Sequence, residues 1–124
     1  MNTAAAVTAD THGTITDTTA ALSGTVTGND TTTDTTVNFC YSTTNDSSGC
    51  TTSAATQSPI DKSEYDTATA VSKTLTGLLP GTRYYWWIKA SNGSGTTTTT
   101  SGGSFYTQAT YTSIDKNYAV TTGG

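Results

Sequence analysis

At 124 residues and 12.7 kDa the chain is sized for one domain, with only 15 Leu, Ile, Val and Phe residues from which to build a core. A net charge of −4 with five Lys and Arg in all excludes electrostatic capture of nucleic acid, and no apolar run reaches the roughly 18 residues of a transmembrane helix, so membrane insertion is excluded too. Thr fills 34 positions, while seven Tyr and two Trp supply bulk, which is an all-β composition with a small aromatic core.

The first extended stretch, residues 4–8, reads as an edge strand; the ten residues that open the chain carry no basic residue and no apolar run of signal-peptide length. Residues 20–26 alternate, with Ala20, Leu22, Gly24 and Val26 on one face, until Gly28, Asn29 and Asp30 break the pattern. Residues 35–43 alternate more sharply: Val37, Phe39 and Tyr41 face one way, and Asn38, Cys40 and Ser42 the other. A polar loop at 45–49 leads into a short returning strand at 50–55. Cys40 and Cys50, with nine residues between them, suit a hairpin-spanning disulfide on the outer surface; two free thiols are the alternative. Such a bridge would contribute roughly 2.5–3 kcal/mol.

Residues 59–66 read as irregular, with Lys62, Glu64 and Asp66 solvated, and 70–75 as a strand of weak alternation. Residues 84–90 form the strongest strand, with Tyr84, Trp86, Ile88 and Ala90 on one face and Tyr85, Trp87 and Lys89 on the other. A turn at 92–95 is followed by extended residues at 96–100 and 101–107, the latter placing Phe105 inward. That gives about seven strands with turn signals every 8–12 residues, the spacing of an antiparallel β-sandwich. Residues 1–107 make the sandwich, and 108–124, with Tyr111, Ile114, Tyr118 and Val120, form an extension that is a linker, an extra strand or a docking segment.

The run Leu78-Leu79-Pro80-Gly81-Thr82-Arg83-Tyr84 resembles the corner between strands E and F of fibronectin type III domains. Residues 84–92 and 104–107 resemble that family's F and G strands, and 20–26 and 37–43 resemble strands B and C of bacterial or phage members. The resemblance spans residues 4–107 and implies an immunoglobulin-like, seven-stranded sandwich. It also implies a corner built on Leu78, Pro80, Gly81 and Tyr84, with the Tyr84 hydroxyl bonded to upstream backbone. No Trp stands on the second strand, where Ala20 and Leu22 are found, so Trp86 is expected to fill the core. No Arg-Gly-Asp tripeptide occurs, so an integrin-type role is not implied.

Catalytic chemistry finds no foothold. His12 is the only histidine, which removes Ser-His-Asp and Cys-His arrangements, and no phosphate-cradling glycine motif is present. The nine carboxylates are scattered, and Asp30 and Asp34 lack EF-hand spacing, so they read as solvated loop charges. No enzyme activity and no cofactor or metal is expected. Asn29, Asn45 and Asn92 each open a glycosylation acceptor pattern on a loop.

Outward aromatics remain. Tyr85 and Trp87 beside Lys89 suggest a platform for a sugar ring or a protein contact, and Tyr111 and Tyr118 extend the candidate surface; the alternative is that Tyr85 and Trp87 stack against neighbouring strands. The sequence thus predicts a non-enzymatic spacer, adhesion or protein-binding module, extracellular or at the cell surface, whose partners are proteins or neighbouring copies. A phage virion decoration or fibre protein and a carbohydrate-binding accessory module, with a glycan as ligand, are the alternatives.

Overall fold

The computed structural model describes residues 2–10, 12–98 and 103–109. Eight strands appear in chain order: β1 (Ala6–Ala9), β2 (Ala20–Thr27), β3 (Thr36–Ser42), β4 (Thr51–Ala54), β5 (Thr69–Leu75), β6 (Arg83–Asn92), β7 (Gly95–Thr98) and β8 (Gly103–Tyr106). Two single 3₁₀ turns, Ser47–Gly49 and Lys62–Glu64, are the only helical pieces among the described residues. The smaller sheet runs β1-β2-β5 and the larger β4-β3-β6-β7, with β8 also on β6, and every pairing is antiparallel. β3 covers residues 85–91 of β6, so β7 against Lys89–Asn92 and β8 against Arg83–Trp86 share the opposite edge. They are two halves of one lane, and the architecture is a seven-lane, immunoglobulin-like β-sandwich of the fibronectin type III kind.

Period-two patterning decides the layers. In β2 every second residue is buried, starting at Ala20, and in β6 Tyr84, Trp86, Ile88 and Ala90 point inward. Trp86 is fully buried and packs on Phe39, their ring centroids 6.0 Å apart, with Leu22, Val26, Val37, Val71, Leu75 and Ile88 around them. A second aromatic row, Tyr41–Tyr84–Phe105, continues the core with centroid spacings of 6.1 and 5.7 Å, and His12 meets Phe105 edge-on at 5.8 Å. Trp86 thus does the filling expected of it, although its Nε1 has no hydrogen-bond partner. Gly24 leaves no room for a side chain: a Cβ there would collide with Ile88 of the facing sheet and with the carbonyl oxygen of Thr8 on the neighbouring strand.

Each end of the sandwich is tied by side chains. At one end the Asn92 amide donates to the carbonyls of Thr3 (2.9 Å) and Gly28 (2.7 Å), joining the chain start, the loop after β2 and the turn after β6. In that same loop Asp30 is only 2% exposed, which corrects its reading as a solvated charge. Its Oδ1 accepts from the Thr32 and Thr33 amides at 2.8 and 2.9 Å and from the Thr32 hydroxyl. These bonds, the Thr32 amide first, lower its pKa to about 2.

At the other end the Leu79 amide donates to the Tyr84 hydroxyl at 2.9 Å, and Gly81 turns the chain at φ +61° behind Pro80. Thr107 donates its hydroxyl to the Leu79 carbonyl (2.6 Å) and accepts from the Thr82 amide (2.9 Å). Gln108 continues this end: its amide donates to Thr16, its carbonyl accepts from Gly81, and its side chain donates to Ile15. The hydrogen-bonded sandwich therefore runs one residue past Thr107.

Candidate functional site

β6 is the middle of the larger sheet, and its outward residues set the character of the outer face. In chain order these are Arg83, Tyr85, Trp87 and Lys89, and the cross-strand register fixes their neighbours. Arg83 lies opposite Tyr106, Tyr85 between Ser42 and Ser104, Trp87 opposite Cys40, and Lys89 between Asn38 and Thr98. Directly opposed residues on one face come within about 4.5–5.5 Å at Cβ, so each is a contact pair.

The two tryptophan-side neighbours close that half. Cys40 is bridged to Cys50, their Cα atoms 5.6 Å apart, and among the described residues no cysteine is free. The bridge draws the Ser47–Gly49 turn back over the sheet, where the Lys89 ammonium donates to the Ser47 carbonyl at 3.1 Å. Asp46 caps the turn by accepting from the Ser48 amide and hydroxyl at 2.9 and 2.8 Å, which lowers its pKa. Trp87, beside this arrangement, is 2% exposed. Trp87 does face outward as expected, but at 2% exposure it offers no open ring face as a platform.

The other half is open. Tyr106 is 63% exposed, Arg83 is exposed and Tyr85 half-buried. The Arg83 guanidinium carbon lies 5.3 Å from the centroid of Tyr85 and 5.3 Å from that of Tyr106, and Nη1 donates to the Tyr85 hydroxyl at 2.9 Å. Arginine so placed is held by cation–π attraction as well as by the hydrogen bond. Among the described residues no strand of this sheet carries Asp or Glu, and Arg83 and Lys89 are its only strand charges.

Of the candidate surface residues, the structure thus groups Tyr85 with Arg83 and Tyr106, seals Trp87, and commits Lys89 to Ser47. Tyr111 and Tyr118 lie outside the described residues. Tyr106 and the role of Arg83 were missed because no local motif marks them; only the pairing of β6 with β8 brings them together. Among the described residues there is no cavity and no cluster of three or more His, Cys, Asp or Glu side chains able to hold a metal. No helix there is long and apolar enough to cross a membrane.

No protein-family model matches the chain, and no curated protein matches it in sequence. Solved structures do resemble it. The sensor domain of the anti-sigma factor RsgI4 in Pseudobacteroides cellulosolvens, in a longer form, is 19% identical, with 87% of this chain and 93% of that one covered and a TM-score of 0.59. The shorter form gives 21% identity, coverage of 86% and 96%, and a TM-score of 0.57. A fibronectin type III domain derived from the human KIAA0970 protein gives 14%, coverage of 87% and 77%, and 0.53. At these identities the likeness shows a shared sandwich fold.

Proposed function

We infer that this sandwich is a non-enzymatic interaction module of an extracellular or surface protein, and that it meets its partner through the open half of the larger sheet. The observation that carries the reading is the Arg83–Tyr85–Tyr106 group, with Tyr106 63% exposed on a rigid, paired strand. Tyr and Arg dominate binding hot spots because they bring large, stiff contact area with polar ends. Exposing such a group has no evident benefit to the core, from which β6 separates it. The Cys40–Cys50 bridge supports an oxidising location outside the cytoplasm.

Chemical-shift mapping tests this directly. Panels of oligosaccharides and peptides titrated into ¹⁵N-labelled protein should shift the amides of Arg83, Tyr85, Ser104 and Tyr106, and Tyr106→Ala should abolish the response. Shifts confined to the loops at 28–34 and 92–94 would move the site to that end of the sandwich. Cleavage products from any ligand would refute a non-enzymatic role.

A further inference from the structure

We propose that the open half of the larger sheet is a site for acidic polysaccharide, with Arg83 taking the carboxylate of a uronic acid residue and Tyr106 and Tyr85 stacking on sugar rings. The proposal rests on the reading of this face as the contact surface and names its ligand class. Its starting point is the company Arg83 keeps.

The guanidinium carries five N–H donors, and the structure assigns one of them, on Nη1, to the Tyr85 hydroxyl. Among the described residues Arg83 has no carboxylate partner; its other contacts are the two tyrosine rings, each 5.3 Å from the guanidinium carbon. Surface arginines on an acidic chain ordinarily have carboxylates to hand. Here every carboxylate among the described residues lies off the strands of this sheet. The result is an exposed arginine on a chain of net charge −4, already oriented between two rings. Charge complementarity therefore points to an anion, and the planar fork favours a carboxylate bound through two N–H groups.

The rings decide which anion. A tyrosine ring presents an electron-rich face, which attracts the polarised C–H bonds lining one side of a pyranose. A uronic acid carries that C–H face and a ring-bound carboxylate in one residue, so a single sugar can stack on Tyr106 while its carboxylate reaches the adjacent Arg83. Tyr85 stands two residues along the strand from Arg83, about 7 Å at strand rise, which places a second ring for the next sugar of a chain. An acidic peptide offers the charge without the flat apolar face beside it. A neutral glycan leaves the arginine unpaired.

Polygalacturonate and alginate, two polyuronates, are the probes, and fully methyl-esterified polygalacturonate is the control with the same rings and no charge. Affinity electrophoresis and titration calorimetry on the full chain should show binding to at least one polyuronate. Binding to the ester should be weaker by about tenfold or more, the loss expected of one charge-assisted fork. Arg83→Gln and Tyr106→Ala should abolish retention, and Arg83→Lys should restore it only in part, because an ammonium keeps the charge and loses the fork. Both positions are exposed, and an unchanged melting curve verifies folding. Equal affinity for acid and ester, or undiminished binding by Arg83→Gln, overturns the anion site. Failure to bind either polyuronate overturns the ligand class. If a peptide then shifts Tyr85 and Tyr106, the interaction-module reading survives with a protein as partner; if every ligand maps elsewhere, both readings fall.

Discussion

Trp87 and Tyr85 stand two residues apart on one face of one strand, yet the first is sealed and the second borders an open patch. Their difference lies in what the neighbouring strands contribute. Beside Trp87 the register places Cys40, whose bridge to Cys50 brings a turn over the sheet, and Lys89 holds that turn by its carbonyl. Beside Tyr85 it places Ser42 and Ser104, two short side chains, and beyond them Tyr106 and Arg83. A period of two assigns a residue to a face, whereas exposure depends on which loops cross that face afterwards.

The contrast can be broken most forcefully at Trp87. Trp87→Ala should cost about 3–5 kcal/mol in chemical denaturation, the range for emptying a large buried site. A cost below about 1 kcal/mol would mean that Trp87 is dispensable packing on a surface. Removing the tether is the next test. Cys40→Ala with Cys50→Ala should lower stability by about 2–3 kcal/mol. It should also give acrylamide access to one of the two tryptophans, where the parent protein shields both; complete shielding in the double variant would show that the turn stays down without its bridge.

Tyr84→Phe bears on the open half, since the corner fixes where Arg83 and Tyr85 emerge. Loss of the hydroxyl leaves the Leu79 amide without its acceptor and should destabilise by about 1–2 kcal/mol. A change of a few tenths would make the corner bond incidental. Smallest is Tyr106→Ala, expected to alter stability by no more than about 0.5 kcal/mol, as for other exposed positions. A large loss would reveal Tyr106 as structural and weaken the case for a contact surface.

Much of the architecture is readable along the chain because its signals are local. Alternation in 20–26, 35–43 and 84–90 specifies inward residues that the structure buries, among them Leu22, Phe39 and Trp86. The Leu-Pro-Gly-Thr-x-Tyr corner is equally local: the donor at Leu79 and the acceptor at Tyr84 are five residues apart. The site is less readable because it is assembled across distance. Arg83 and Tyr106 are 23 positions apart, and their pairing depends on the register between β6 and β8, which no short motif encodes. Asp30 shows a different gap. The pattern Asp-x-Ser/Thr stands at Asp17, Asp30, Asp34, Asp46 and Asp61, and at Asp30, Asp46 and Asp61 the carboxylate accepts the amide two residues on. That local turn chemistry is visible in the sequence, yet burial of Asp30 follows only from the Asn92 bonds that bring the neighbouring loops together.

The two tied ends have a mechanical consequence. Thr3 is bonded beside the far end of β2, at Asn29, and Gln108 beside its near end, at Thr16, so these two points lie at opposite poles of the sandwich. Tension applied between them runs along β1 and β8, parallel to their strands. Ladder hydrogen bonds stand perpendicular to that direction, so those of β1 on β2 and of β8 on β6 are loaded together in shear instead of being peeled singly. Single-molecule stretching from these poles should accordingly show one abrupt rupture, whereas a staircase of small events would mean that the ends give way before the ladders do.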